Sequence, residues 1–156
     1  MTPALAVLED RRAAAVRPRP DDGRVRWLEL AGVRGPVARA KAFTRQALAD
    51  WSGPEGSALA EQDTVLLVAE LVTNALVHAG GPRDIALRLR GGVLRVEVGD
   101  RSRLLPVPRA PRTAGTPGGR GLLIVQLASL RWGAEPHRLG KTVWAELRIA
   151  PETTPR

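Results

Sequence analysis

The chain contains no cysteine and no tyrosine, a single phenylalanine, a single methionine, and two histidines, His78 and His137. Without cysteine there are no disulfides, no thiol catalysis and no cysteine-based metal sites. Two histidines cannot make a zinc site alone. Aromatic residues amount to 3% of the chain, too few to build a surface on which nucleic-acid bases stack. No apolar run reaches the length of a bilayer, and the N-terminal stretch has no apolar core behind its charges. A cytoplasmic protein with no membrane partner is therefore expected. Acidic residues are also scarce: 16 Asp and Glu stand against 24 Lys and Arg, a net charge of +8. This bias favours anionic partners, including nucleotides and acidic protein faces. The basic residues are scattered rather than clustered, so a nucleic-acid partner is not expected.

The 156 residues are 44% hydrophobic, which suits one domain with a real core. Residues 1–23 carry Arg11-Arg12, several prolines and Asp21-Asp22-Gly23 without periodicity, and read as a flexible tail. The domain is expected over 24–149, with a second tail at 150–156. Arg24 to Leu30 is strand-like. Pro36 to Trp51 reads as an amphipathic helix, because Val37, Ala40, Phe43, Ala47, Leu48 and Trp51 fall near one face. Glu61 to Gly80 reads as a second helix, buried on most sides, with Asp63 as N-cap and Gly80-Gly81-Pro82 as its stop.

Ile85, Leu87 and Leu89 alternate with polar or small residues. Gly91-Gly92 makes a tight turn, and Leu94, Val96 and Val98 alternate again, so Arg83 to Asp100 is a β-hairpin. Arg101 to Gly119 is rich in Pro, Gly and Arg and too long for a simple connection, as functional loops often are. Gly121 to Leu130 reads as a short buried helix, Arg131 to Gly133 as the start of a strand, Pro136 to Gly140 as a turn, and Val143 to Ile149 as a last strand. Because the clearest strand pair is a hairpin, α+β is favoured over a parallel α/β fold.

The helix over 61–80 carries the first chemical signal. Glu70, Asn74 and His78 recur every four residues with Thr73 beside them, so they share one stripe, and that stripe holds no Lys or Arg. A carboxylate, an amide and an imidazole on a mostly apolar helix suggest a polar cavity; the alternative is the wet edge of a core helix. Asp100 ends a strand and Ser102 follows it. A carboxylate there suits an exocyclic amino group such as that of adenine, or simply turns the chain. Gly118-Gly119-Arg120-Gly121 leads into a helix, where unpaired N–H groups hold anions, although many such loops are only turns. Gly140-Lys141-Thr142 is not a P-loop: Glu135 occupies the position that needs glycine, and a strand follows rather than a helix. Gly115, Gly118 and Gly121 lack the βαβ unit of a dinucleotide fingerprint, and no serine sits in a nucleophile elbow.

In this order these pieces resemble the GHKL family of ATP-binding domains, and are most similar to the small bacterial anti-sigma-factor serine kinases and their actinobacterial relatives. ELVTNALVHA looks like the family's N-box, VEVGDRS like its first glycine box, GGRGLLIVQLAS like its second, and GKTVWAEL like its closing strand. The resemblance implies a two-layer sandwich in which helices cover one face of a mixed, mostly antiparallel sheet, with ATP and Mg²⁺ held between helices and a flexible lid. It makes Glu70 the catalytic base, Asn74 the Mg²⁺ ligand and Asp100 the reader of adenine. His78, Ser102, Gly119, Arg120, Gly121, Leu122 and Thr142 complete the nucleotide site, with either Lys141 or Thr142 reaching the phosphates; for His78, phosphate contact and helix capping both stay open. One departure is clear. Where the family pattern has D-x-G-x-G, this chain has Asp100-Arg101-Ser102-Arg103-Leu104.

The functional expectation is a cytoplasmic regulatory serine/threonine protein kinase. It would phosphorylate an antagonist protein, sequester a sigma factor, and form a homodimer as relatives of this kind do. A histidine-kinase reading is weaker, because no phospho-acceptor histidine segment stands out. The principal alternative is a non-catalytic ATP-binding or partner-docking module, which the altered Asp100 box favours and the retained Glu70 disfavours.

Overall fold

A computed structural model describes residues 24–52, 58–105 and 121–149. Both expected tails and most of the Arg101–Gly119 connection lie outside the described residues. The elements run β1 (Arg24–Glu29), α1 (Pro36–Ser52), α2 (Ala58–His78), β2 (Pro82–Arg90), β3 (Val93–Asp100), α3 (Gly121–Ala128), β4 (Arg131–His137) and β5 (Gly140–Arg148). The strands form one five-stranded sheet in the order β1-β2-β3-β5-β4. Every pairing among the described strands is antiparallel, so the expected parallel component of a mixed sheet does not occur among them. The α+β architecture with helices layered on a sheet is as expected.

Local chemistry explains the elements. Gly91 and Gly92 both take positive φ, 59° and 75°, the pair of values a two-residue hairpin turn needs and glycine supplies without steric cost. At the end of α2, Gly80 (φ 73°) and Gly81 (φ 117°) turn the chain. The Gly81 N–H reaches back to the Ala75 carbonyl at 2.9 Å, closing the helix as a glycine C-cap does. The other end differs from expectation. α2 starts at Ala58, so Asp63 is an exposed residue inside the helix and not its N-cap. Ala58, Leu59 and Ala60 are sound helix formers and extend it upstream. The β4–β5 connection is also tighter than expected. Pro136 and His137 belong to β4, and only residues 138–139 make the turn. Pro136 is tolerated because β4 is an edge strand.

Period-two alternation divides the sheet into two faces. On one face Ile85, Leu87, Val96, Val98, Ala145 and Trp132 meet Leu67, Val68, Leu71 and Val72 of α2 in a single core. On the other face the charges form a lattice. Arg95 donates to Glu97 at 2.8 Å and to Glu146 at 3.2 Å, and Arg131 donates to Glu146 at 2.6 Å. The Arg95 guanidinium also lies 4.0 Å from the centroid of the Trp144 ring. α2 packs against both α1 and α3, whereas α1 and α3 have no comparable contact among the described residues. α2 is therefore the middle helix of its layer. It is less enclosed than its apolar sequence suggests: Leu66, Leu76 and Val77 are each more than two-fifths exposed.

Leu67 of α2 is fully buried and Leu127 of α3 is 78% exposed. Leu67→Ala should lower stability by about 2–5 kcal/mol, whereas Leu127→Ala should stay within about 0.5 kcal/mol. Urea unfolding midpoints of the two variants check this.

Candidate functional site

The polar stripe of α2 sits beside its buried face. Leu67, Leu71 and Ala75 are buried; Glu70, Thr73 and Asn74 are half-buried. Asn74 follows the buried Leu67 by seven residues, within roughly 20° of two full turns, and Glu70 follows it by three, within roughly 60° of one, so both border the buried face.

Burial holds the Glu70 carboxyl above its ordinary range, and no cation among the described residues is near enough to reverse that. A carboxylate that is partly dried and left unpaired is a poor structural device and a competent proton acceptor. His78 is different. It is the last residue of α2 and is exposed, a place where a basic group complements the helix dipole.

Asp100 ends β3 with only 2% of its surface exposed. Its Oδ1 accepts two hydrogen bonds, from the Ser102 N–H at 2.9 Å and from Lys141 Nζ at 2.9 Å. Lys141 Nζ also donates to the Ser102 carbonyl at 3.3 Å. Ser102 Oγ in turn accepts from the Leu104 N–H at 3.2 Å, so this serine shapes its own loop. The turn-forming role of Asp100 is thus real, and it coexists with a buried ion pair.

Lys141 arrives at Asp100 because β3 and β5 pair Asp100 with Lys141 and Gly99 with Thr142. Opposed residues share a face. Asp100 and Lys141 continue the core face of Val98 and Val143, and Thr142 falls on the opposite one. There its Oγ1 meets His137 Nε2 at 3.1 Å. Thr142 is therefore not brought together with Asp100 and α2; Lys141, the other residue expected to reach the phosphates, stands in that place. Two glycines make the strand ends fit. A Cβ at Gly99 would collide with the Asp84 carboxylate and lie 2.5 Å from Arg83 Nη2. One at Gly140 would collide with the Asp100 carbonyl oxygen and lie 2.6 Å from the Arg101 Cα.

Of the remaining expected residues, Gly119 and Arg120 lie outside the described residues. Gly121 opens α3, where backbone N–H groups have no partner within the helix, and Leu122 follows in the same turn. A cavity of about 260 Å³ lies elsewhere, bounded by Leu30, Gly32, Pro36, Leu76, Gly80 and Arg101. It touches Asp100's neighbour but sits beyond the end of α2, with Leu76 rather than Asn74 in its wall.

Residues 35–146 match the family model described as a histidine kinase-like ATPase domain. The matched span holds every candidate residue from Glu70 to Thr142. No curated protein matches the chain.

The His137 ring is buried, its Nδ1 accepts the Leu139 N–H at 3.2 Å, and burial, with Arg83 adding to it, pushes its pKa below 6.5. A lowered folded-state pKa favours the neutral ring. The associated stability is full above the unfolded value and is lost as pH falls through the folded one. Unfolding midpoints measured between pH 7.5 and 5 should fall for the wild type and fall less for His137→Gln.

Proposed function

Because the chain belongs to the histidine kinase-like ATPase domain family, we propose that it is an ATP-binding regulatory serine/threonine protein kinase. The observation that carries this reading is Glu70: a half-buried carboxyl, its pKa raised by burial, one turn from the half-buried amide of Asn74 on the central helix. A module that only docks a partner has no need of an unpaired base there.

The residues present fit Mg²⁺ and ATP. Mg²⁺ keeps most of its waters and needs few protein oxygens, so the Asn74 amide oxygen together with phosphates is a sufficient set. Bound ATP supplies the phosphoryl group to be transferred. Asp100 meets the base at the sheet end. Gly121 opens α3, and its N–H, with Arg120 and the Gly119 N–H that precede it in sequence, would hold the phosphate chain. Glu70 accepts the proton of a serine or threonine hydroxyl as its oxygen bonds to the γ-phosphorus and the bond to the ADP oxygen breaks. The raised pKa of Glu70 brings it nearer the working pH, which suits a base that must take up this proton and later release it.

The acceptor is a hydroxyl on a small antagonist protein, and the second partner is a sigma factor held until that antagonist intervenes. This assignment rests on the resemblance of the four sequence boxes to anti-sigma-factor kinases. The non-catalytic reading keeps one specific support, the ion pair that occupies Asp100 Oδ1.

Transfer of label from γ-labelled ATP to candidate antagonist proteins separates the two. Glu70→Gln should lower transfer by about 10²–10⁴-fold and leave ATP-dependent thermal stabilisation intact. Since a carboxyl whose folded-state pKa is raised loses stability as pH rises through that value, the same variant should be no less stable than wild type at pH 7. Asn74→Ala should lose the Mg²⁺-dependent part of the stabilisation. Wild-type protein that binds ATP but labels no partner favours the docking module.

A further inference from the structure

We propose that the cavity beyond the end of α2, with the arginines around its mouth, is the docking site for an acidic, leucine-bearing segment of a partner protein. Neither Glu70 nor Asn74 takes part, so this surface stands or falls apart from the catalytic reading.

The cavity measures about 260 Å³. That is below the roughly 300–1,000 Å³ of a pocket that encloses a small molecule, and it suits an anchor side chain of something larger. Leu30, Val33, Pro36, Leu76 and Pro82 give its wall apolar side chains. Gly32, Gly80 and Gly81 also line it, and a Cβ added at any of them would meet nothing within 4 Å. The backbone there stands open to an incoming chain. The charged residues in the wall are Arg83 and Arg101, and no carboxylate lines it. Arg83 is paired with Asp84 at 2.9 Å, whereas Arg101 is exposed and has no ion pair among the described residues.

The mouth of the cavity continues this pattern. Arg103 and Leu104 follow Arg101, both exposed, Leu104 at 79%. A Cβ on Gly140 would lie 2.6 Å from the Arg101 Cα, so the turn at Arg138 and Leu139 abuts the same loop, and Leu139 is 50% exposed. Arg34 is exposed between Val33 and Pro36 of the wall. Like Arg101, the arginines at 34, 103 and 138 have no ion pair among the described residues. The acids at this end are withdrawn. Asp84 and Asp100 are buried and paired, and Glu29 alternates with Leu28 and Leu30 of the core and so points to the opposite face of the sheet. Unpaired arginines interleaved with exposed leucines are the composition of a protein interface rather than of an ordinary solvated surface. Complementarity then dictates the partner: carboxylates for the guanidiniums and an apolar side chain for the cavity. A nucleic acid would bring the charge without the anchor, and this surface has no aromatic side chain on which a base could stack.

The test is fluorescence anisotropy of labelled peptides mixed with the full chain: one alternating Leu with Asp, one with Ser in place of Leu, and one with Lys in place of Asp. The Leu–Asp peptide should bind wild type, with an affinity that falls as salt rises. The other two should bind at least about tenfold more weakly. Arg101→Glu and Arg138→Glu, both at exposed positions, should each weaken the Leu–Asp peptide about tenfold. Arg90→Glu makes the same charge change at the far end of β2 and should leave the affinity unchanged. Amide shifts on adding the peptide should centre on Gly32, Gly80 and Arg101. A wild type that binds none of the peptides overturns the proposal, and so does equal weakening by Arg90→Glu. Tighter binding of a DNA duplex or of anionic lipid vesicles, lost in the same two variants, overturns it as well.

Discussion

The placement of β5 beside β3 is the constraint from which the polar end of this molecule follows. The chain leaves β3, passes through α3 and the edge strand β4, and returns antiparallel against β3. A register shift of one residue would exchange the two faces of β5. Lys141 would leave Asp100 and Thr142 would take its place, while Val143, Ala145 and Leu147 would leave the core. The hydrophobic demand of those three positions therefore fixes a charged contact two residues upstream. The ion pair has little freedom of its own, since removing one buried partner costs on the order of 3–5 kcal/mol.

The two halves of the candidate site obey opposite electrostatic rules. At the sheet end the two buried carboxylates each have a counter-charge: Asp100 with Lys141, Asp84 with Arg83 at 2.9 Å. On α2, Glu70 has none among the described residues and burial raises its pKa. Buried charge is tolerated when paired, so the sheet end is consistent with structure alone. Glu70 is not, because a glutamine of the same shape would fill the space without the desolvation cost. The fold can carry that cost because the rest of α2 is invested in the core, with Leu67, Val68, Leu71 and Val72 all at 2% exposure or less.

Much of this was legible in the sequence, and the failures share a cause. Strong local rules read correctly: Gly91-Gly92 for the hairpin, Pro36 for the start of α1, Gly80-Gly81-Pro82 for the stop of α2. The alternation of Leu94, Val96 and Val98 gave the inner face of β3. Asp63 misled because capping residues are also ordinary exposed helix residues, and nothing local separates the two. The choice between Lys141 and Thr142 is more instructive. The alternation of Val143, Ala145 and Leu147, read two residues further back, places 141 inward and 142 outward. That signal was present, but the resemblance to a Thr-bearing closing strand outweighed it. The Lys141–Asp100 contact itself needed the β3–β5 pairing, which joins residues 41 apart in sequence and is invisible to any local pattern.

The departure at Asp100-Arg101-Ser102-Arg103 has a physical counterpart in the structure. Where the family pattern has glycine, which turns a chain through its conformational freedom, this chain turns through nested hydrogen bonds. The Ser102 N–H goes to the Asp100 carboxylate and the Leu104 N–H to Ser102 Oγ. Such side-chain turns are a recognised substitute for backbone freedom. The bond that the serine side chain adds is the one from the Leu104 N–H to Ser102 Oγ; the bond to Asp100 Oδ1 comes from the backbone N–H of residue 102, which a glycine would supply as well. What sets Asp100 apart is therefore Lys141, which shares Oδ1 and supplies the positive charge that a carboxylate so buried requires.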